Sequence, residues 1–248
     1  MKTLATYSIK GGVGKTTAAV NLAHEAAAQG ARVLLWDIDP QGAATYFFRI
    51  RANVKGGAGK LIDKGSLAGH VRATDLPGLH VVPADFSMRH LDLHLDDAKH
   101  PRRRLGALLE PLAGDYDIAL IDCPAGITLA SESVFAAADV LLVPTIPTTL
   151  SKRTLDQLME HLAANPPAPV VLPFISMLDR RKRLQRELVA KLAVGTPAPL
   201  PTPIPNASVV ELMGLERAPL ATYAPTSLAA TAFRNLWRDI AEKIWDYV

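Results

Sequence analysis

The chain has 248 residues, of which 49% are hydrophobic and 21% are charged, and its formal net charge at pH 7 is +3. This composition excludes a chain that is disordered throughout, and the length suits one α/β domain with a large core. No apolar run approaches the roughly 20 residues that a membrane-spanning helix needs, and the single cysteine, Cys123, excludes an internal disulfide framework.

The first residues indicate a cytoplasmic protein. The apolar stretch that follows Met1 ends at Lys10, which is too short for a secretory signal, and it lacks a small-residue cleavage site. The cysteine content is consistent with a reducing compartment. We therefore expect a cytoplasmic location.

Short apolar segments rich in β-branched residues predict six strands. These strands lie at residues 4–9, 32–38, 79–83, 117–122, 140–144 and 170–175. They are continuous apolar runs rather than alternating ones, which is typical of parallel strands that are covered on both faces.

Helical patterns separate these strands. The predicted helices lie at residues 15–29, 131–138, 153–163, 182–193 and 227–247. Alternation of strands with helices predicts right-handed crossovers. We therefore expect a single α/β domain over residues 1–248, with a doubly wound, mostly parallel sheet and helices on both faces.

Two segments are irregular. Residues 51–69 predict a surface loop with a short helix. The string Gly-Gly-Ala-Gly-Lys at 56–60 is similar to a phosphate-binding loop, but Leu61 stands where such a loop needs a magnesium-binding hydroxyl. The string is therefore interpreted as a flexible loop. Every second residue from Pro197 to Pro205 is proline. Since proline has no N–H, we expect an edge strand or extended loop that pairs on one side only.

The strongest motif is Lys-Gly-Gly-Val-Gly-Lys-Thr-Thr at residues 10–17, between a predicted strand and a predicted helix. This is the context of a phosphate-binding loop, in which glycines let backbone amides surround phosphate oxygens and the helix dipole favours the anion. Lys15 can reach the β- and γ-phosphates, and Thr16 can ligate Mg²⁺. The motif therefore predicts ATP and Mg²⁺ as cofactors. The candidate nucleotide-binding residues are Gly11, Gly12, Val13, Gly14, Lys15, Thr16 and Thr17.

Acidic residues end two other predicted strands. The strand at 32–38 leads to Asp37 and Asp39, and the strand at 117–122 ends at Asp122. Ligands in open α/β sheets bind at the carboxyl ends of the strands. Asp122 fits a Walker B aspartate, which holds Mg²⁺ through water. The alternative for the first two aspartates is capping of the next helix, which fits Asp37 better than Asp39.

The loop at 10–17 resembles the deviant Walker A motif of the ParA/MinD family of partitioning ATPases. The resemblance covers nearly the whole chain and includes Asp-Ile-Asp-Pro-Gln at 37–41, Pro-Thr-Ile-Pro at 144–147, Ser-Met-Leu-Asp-Arg-Arg at 176–181 and Ile-Pro-Asn at 204–206. The helix-turn-helix extension of larger members is absent, so the chain is similar to the short, Soj-like form. It departs from the family at Ala125-Gly126, where members usually have a second proline and a serine.

The resemblance implies an ATPase that dimerises around ATP. Lys10 would cross the dimer interface to the nucleotide of the other copy, and Asp39 would position or activate the attacking water. The predicted catalytic set is therefore Lys10, Lys15 and Asp39.

The resemblance also implies the remaining ligands of the nucleotide. Asp37 would support magnesium or the phosphate-binding loop, so the candidate metal ligands are Thr16, Asp37 and Asp122. Pro205 and Asn206 match the loop that contacts adenine in the family.

The resemblance further implies that the ATP dimer binds DNA without sequence preference and is therefore associated with the nucleoid. It also implies that a ParB-like protein or a cargo adaptor stimulates hydrolysis. Arginines contact phosphates in a salt-sensitive, sequence-independent way. The alternative for the basic segment is a solvated helix face. The candidate DNA-binding residues are Arg180, Arg181, Lys182, Arg183, Arg186 and Arg217.

Other functions remain open. A MinD-like regulator would insert its C-terminal helix into membranes, but the balanced charges of that helix favour docking on the core. The apolar face in question consists of Phe233, Leu236, Trp237, Ile240, Ile244 and Trp245. The second alternative is an ATP-dependent ligase of the dethiobiotin-synthetase type, whereas one cysteine excludes an iron–sulfur protein with the same loop.

Two points stay undecided at this level. His90 and His94, with His100 beyond them, could hold a metal, although surface histidines without a metal are favoured. The cargo could be a plasmid, a chromosome origin, a chemoreceptor cluster or a microcompartment.

Overall fold

A single sheet organises the part of the chain that the computed structural model describes, which is residues 1–246 apart from the side chains at positions 64, 245 and 246. Its strands are β1 (Lys2–Thr6), β2 (Val33–Asp37), β3 (Arg72–Ala73), β4 (Leu79–Val82), β5 (Ile118–Asp122), β6 (Val140–Thr145) and β7 (Val170–Ile175). They lie in the order β3-β4-β2-β5-β1-β6-β7, and only the edge strand β3 is antiparallel to its neighbour. The predicted mostly parallel, doubly wound sheet is confirmed.

Helices cover both faces of this sheet. They are α1 (Lys15–Ala28), α2 (Ala43–Phe47), α3 (Gly57–Lys64), α4 (Leu91–Asp96), α5 (Arg104–Leu109), α6 (Leu129–Ala137), α7 (Thr149–Ala164), α8 (Arg183–Ala193), α9 (Ser208–Glu211), α10 (Met213–Glu216), α11 (Leu220–Tyr223) and α12 (Leu228–Asp246). Short 3-10 turns span Ala68–His70, Phe86–His90, Pro101–Arg103 and Glu110–Leu112. Successive strand residues enter different cores: Leu4 packs with α1 and α12, whereas Ala5 packs with α3 to α7. This explains the continuous apolar runs of the strands.

Element ends differ from the predictions where polar side chains set them. The helix predicted at 153–163 begins earlier, at Thr149, because the hydroxyl of Thr148 accepts the amide of Ser151 at 3.3 Å. Such a cap satisfies one of the free amides of the first turn. The apolar pattern starts only after the cap, so the pattern alone missed the first turn.

The second glycine string is not the flexible loop that its composition predicted. Gly57 begins α3, which buries Ala58, Leu61 and Ile62. The amide of Ala58 donates to Ser87 Oγ at 2.7 Å. Burial of these side chains outweighs the poor helix propensity of glycine, so the prediction of a flexible loop was wrong.

The proline-rich segment at 196–205 runs along β7, as predicted for a segment that pairs on one side. The amide of Leu200 donates to the carbonyl of Pro173 at 2.7 Å, and the amide of Ile204 donates to the carbonyl of Ile175 at 2.8 Å. The prolines between them need no partner for a backbone N–H.

The last helix, α12, is docked on the core. Its buried apolar face packs with α1 and consists of Phe233, Leu236, Trp237, Ile240 and Ile244. The predicted contribution of the Trp245 side chain, and the predicted helix end at position 247, lie outside the described residues. Across residues 1–246, we find no helix with the length and apolarity that a membrane crossing requires.

Candidate functional site

The loop between β1 and α1 has a backbone shape that favours glycine at two positions. Gly12 and Gly14 have φ values of 71° and 94°, which side chains disfavour. A Cβ on Gly14 would also lie 3.0 Å from Ser176 Oγ. The Ser176 hydroxyl donates to the carbonyl of Val13 at 2.9 Å, so the loop is fixed to the segment that follows β7.

The N-terminus of α1 has no side-chain cap among the described residues. Its first residue is Lys15, whose exposed fraction is 8%, and Thr16 and Thr17 complete the turn. Uncapped amides at a helix N-terminus form a binding site for an anion. The structure therefore brings the candidate residues at 11–17 together in one loop and one helical turn.

Lys10 lies at the start of this loop and is exposed. Its amide donates to Ser8 Oγ at 3.2 Å, which orders the backbone. In the part of the chain that the structure describes, Lys10 takes no part in a salt bridge. Its ammonium group is therefore accessible to an anionic ligand.

Asp122 is fully buried at the end of β5. It lies opposite Thr6 of β1, whose hydroxyl donates to Asp122 Oδ1 at 3.2 Å. Oδ2 is buried and has no hydrogen-bond partner within residues 1–246. Burial, followed by the negative charge of Asp37, raises the pKa of Asp122 well above its usual range. A buried oxygen of this kind requires a cation, a donor or a water.

Asp37 lies opposite Asp122 in the β2–β5 pairing, but its hydrogen bonds go elsewhere. Its Oδ2 accepts the amide of Thr45 at 2.8 Å and the Thr45 hydroxyl at 2.7 Å, and its Oδ1 accepts the amide of Asp39 at 3.1 Å. Burial raises the pKa of Asp37 to about 6 although these bonds lower it. The contacts favour the helix-capping role of Asp37 over the predicted metal-binding role.

Asp39 is more accessible than Asp37. It is half-buried, and its Oδ1 accepts the amide of Gln41 at 2.9 Å. A carboxylate at the mouth of the site can contact water, which a buried carboxylate with three hydrogen bonds cannot do as readily. The predicted role of Asp39 in positioning water therefore stays a prediction, and the structure shows that its carboxylate is partly exposed.

The two candidate adenine contacts line a cavity that adjoins the phosphate-binding loop. This cavity has a volume of about 180 Å³, and its lining includes Gly14, Thr17, Pro205 and Asn206. The amide of Asn206 donates to the carbonyl of Leu178 at 3.0 Å, which anchors the segment. Residues separated by almost the whole chain therefore meet at one site.

Other residues of this cavity were missed by sequence reasoning. Met177 has a left-handed backbone with φ of 55°, and it lines the cavity with Glu211 and Phe233. Phe233 belongs to the apolar face of α12 and was therefore interpreted as a core residue. The segment at 176–181 was the available signal for Met177, because it follows a strand at the same edge of the sheet.

Known proteins resemble the chain in sequence over most of its length. A family model described as an AAA domain matches residues 1–165. The chromosome partitioning protein ParA of Caulobacter vibrioides is 34% identical over 200 residues, which cover 77% of this chain and 74% of that protein. The sporulation initiation inhibitor protein Soj of Bacillus subtilis is 30% identical, with coverage of 97% of this chain and 98% of that one. The chain belongs to the ParA/MinD family of partitioning ATPases.

Solved structures agree with the fold of this ParA/MinD family member. The cobyrinic acid a,c-diamide synthase of Mycobacterium smegmatis, with bound ATP analog and magnesium, superposes with a TM-score of 0.81 at 24% identity, covering 99% of this chain and 96% of that chain. The cell division ATPase MinD of Pyrococcus furiosus superposes with a TM-score of 0.78 at 23% identity, covering 97% and 98%. These superpositions confirm the predicted α/β fold, and the relatives in sequence confirm the predicted resemblance to the ParA/MinD family.

The basic segment of this family member, residues 180–186, is exposed along with its five cationic side chains. Two of them are paired with acids. Arg181 donates to both oxygens of Asp179, at 2.9 and 3.0 Å, and these bonds lower the pKa of Asp179 to about 2. Arg183 pairs with Glu187 at 2.7 Å. Among the described residues, Arg180, Lys182 and Arg186 are therefore the cations of this segment that have no acidic partner.

Arg217, the remaining DNA-binding candidate, contacts α2. Its Nε donates to the carbonyl of Tyr46 at 3.1 Å, and its guanidinium lies 4.3 Å from the centroid of the Tyr46 ring. The residue is half-buried, with φ of 49°. It thus has a defined structural partner, which the sequence did not reveal.

His90 and His94, which the sequence offered as a possible metal site, make separate contacts. Arg89 Nε donates to His90 Nε2 at 2.9 Å, whereas the ring of His94 packs against Gly59. Within the described residues, no group of three or more His, Cys, Asp or Glu side chains is arranged to hold a metal ion.

Proposed function

We propose that this family member is, as a single domain, an ATPase that binds ATP and Mg²⁺ at the loop of residues 10–17 and dimerises around the nucleotide. The observation that carries the proposal is Asp122, a fully buried carboxylate whose Oδ2 lacks a partner in the described part of the chain. A buried carboxylate without a partner is costly to ionise, which is why its pKa is raised. A hydrated cation held between Asp122 and the hydroxyl of Thr16 would remove that cost, so the residues present fit Mg²⁺. When bound, Mg²⁺ would neutralise charge on the phosphates.

The remaining groups of the loop bind and orient the nucleotide. Lys15 and the uncapped amides of α1 would hold the phosphates, with Thr17 beside them, and the cavity at Pro205 and Asn206 would take the base. Asp39 would orient the attacking water. Positioning of this kind accounts for most of the catalysis in phosphoryl transfer.

Lys10 would connect the two copies of the dimer. It is exposed, and its partner in this proposal is the nucleotide phosphate of the other copy. Hydrolysis removes the γ-phosphate and part of the negative charge, which weakens the contact. The dimer would therefore depend on the bound nucleotide.

The dimer would bind DNA without sequence preference and leave it when a ParB-like protein or cargo adaptor stimulates hydrolysis. The support is the exposed basic segment after β7, in which Arg180, Lys182 and Arg186 are not paired with acids among residues 1–246. Doubling such a surface by dimerisation strengthens electrostatic binding. A nucleoid-associated location, and the positioning of DNA or another cargo, would follow.

Asp122→Asn tests the observation that carries the proposal. We expect magnesium-dependent ATP hydrolysis to fall by about a hundredfold, the effect of losing one preorganised charged group. Asp117→Asn is the matched control, because Asp117 is half-buried beside the amino end of β5, at the opposite end of the strand from Asp122, and pairs with Arg32. Equal activity in the two variants, or hydrolysis by the wild-type protein without Mg²⁺, would contradict the assignment.

A further inference from the structure

Tyr7 connects the start of the phosphate-binding loop to the loop that follows Asp122. It comes directly after β1 and is fully buried. Its ring packs edge-on against Phe135 of α6, with ring centroids 4.8 Å apart. Its hydroxyl donates to the carbonyl of Gly126 at 3.0 Å. One side chain therefore joins the residue after β1, which leads into the phosphate-binding loop, to the loop that follows β5 and Asp122.

The segment at 124–127 has few other restraints. It lies outside helices and strands, and Gly126 has φ of 100°. In the described part of the chain, the Tyr7 hydroxyl makes the only hydrogen bond to this segment. α6 begins soon afterwards with a side-chain cap at Thr128, so the end of the segment is fixed while its middle depends on Tyr7.

The segment also lies against the phosphate-binding loop. A Cβ placed on Gly11 would be 4.0 Å from the Cβ of Ala125, which is ordinary van der Waals contact. In the chain, Asp122 precedes the segment by two positions, with Cys123 between them. A displacement of about 1 Å beside a reacting group can change a rate by about a hundredfold. The position of residues 124–127 therefore matters for any reaction of the bound phosphates.

We propose that Tyr7 is a positioning residue for ATP hydrolysis, because its hydroxyl holds the Gly126 carbonyl and keeps residues 124–127 against the phosphate-binding loop. The inference rests on the proposed ATPase function. Burial raises the pKa of the Tyr7 phenol, so the hydroxyl stays protonated and remains a donor near neutral pH. The small residues Ala125 and Gly126 leave the tyrosine side chain room to reach the backbone.

Tyr7→Phe removes the hydroxyl and keeps the ring that packs on Phe135. We expect kcat for magnesium-dependent hydrolysis to fall about tenfold, the effect of losing about one hydrogen bond. The Kd for a non-hydrolysable ATP analogue and the Tm should stay close to their wild-type values. Tyr116→Phe is the matched control: it removes a hydroxyl that bonds His80 Nδ1 at 2.7 Å, beside the amino end of β5, and should leave kcat unchanged.

Gly126→Ala perturbs the same segment through its backbone. A Cβ at this position meets nothing within 4 Å, so the substitution acts mainly on the preference for φ of 100°. We expect a lower kcat here as well. In the Tyr7→Phe background the same change should lower kcat little further, because both substitutions release one segment.

The outcomes separate this inference from the function on which it rests. If the wild-type protein hydrolyses ATP and Tyr7→Phe has the same kcat, the inference about Tyr7 alone is overturned. If Tyr7→Phe lowers kcat, weakens binding of the analogue and lowers the Tm together, Tyr7 has a purely structural role, and the inference about Tyr7 is overturned as well. A wild-type protein without magnesium-dependent ATPase activity would overturn the proposed function and this inference with it.

Discussion

Thr45 donates both its backbone amide and its hydroxyl to Oδ2 of Asp37, at 2.8 and 2.7 Å. The same hydroxyl accepts the amide of Ala84 at 2.9 Å. One buried threonine thus joins the end of β2, the helix α2 and the segment after β4. The carboxylate of Asp37, which the sequence predicted as a metal ligand, is therefore part of this buried hydrogen-bond network.

Thr45→Val should therefore lower the stability of the fold. The substitution keeps the shape of the side chain but removes the hydroxyl, so Asp37 and the amide of Ala84 each lose a partner in a buried environment. We expect the free energy of unfolding in urea to fall by about 1–3 kcal/mol. The exposed control Thr226→Val should change it by less than about 0.5 kcal/mol. If the two substitutions lower the free energy of unfolding equally, the hydrogen bonds of the Thr45 hydroxyl do not stabilise the fold.

If the basic segment after β7 binds DNA, substitutions in it should weaken DNA binding to different extents. Replacing Arg180 and Arg181 together by alanine should weaken ATP-dependent DNA binding at moderate salt and reduce the slope of log K against log salt by about 1–2. Arg180→Ala should have the larger effect, since Arg181 must first leave Asp179. The control is Arg32→Ala, an exposed arginine paired with Asp117. Unchanged binding in the double variant shows that the segment is not the DNA-binding surface.

His24 predicts a loss of stability on mild acidification. Burial, followed by the charge of Arg234, lowers the pKa of His24 from its ordinary value of 6.5. Between about pH 7.5 and about pH 5.5 the unfolded chain therefore binds more protons at this residue than the folded chain, so stability falls as the pH falls. We expect His24→Gln to lose less unfolding free energy over this interval than the wild-type protein. Parallel curves for the two proteins would contradict the assignment.

Local rules accounted for the elements that position the site. The six parallel strands were visible because residues such as Leu34 and Leu35 are buried on opposite faces and form one apolar run. The loop at 10–17 was visible because its glycines and lysine are consecutive in the chain. In both cases the physical constraint acts between near neighbours in sequence.

Contacts between distant segments were the part that could not be predicted. The bond from Tyr7 to Gly126 and the stacking of Arg217 on Tyr46 join residues far apart in the chain, and no periodicity or composition signals them. The prediction of a flexible loop at 56–60 was wrong because the structure of this segment also depends on contacts with distant segments. Its glycines favour disorder locally, whereas the burial of the α3 side chains against the rest of the core decides the outcome.

In the proposed dimer, ATP bound at the loop of residues 10–17 joins two copies of the chain, and Lys10 crosses between them. Light scattering during size-exclusion chromatography measures this directly, with Mg²⁺ and a non-hydrolysable ATP analogue at saturation. We expect the wild-type protein and the exposed control Lys60→Ala to elute with twice the mass of one chain, and Lys10→Ala to elute as a monomer. A wild-type protein that binds the analogue and still elutes as a monomer would show that the nucleotide does not join two copies of the chain.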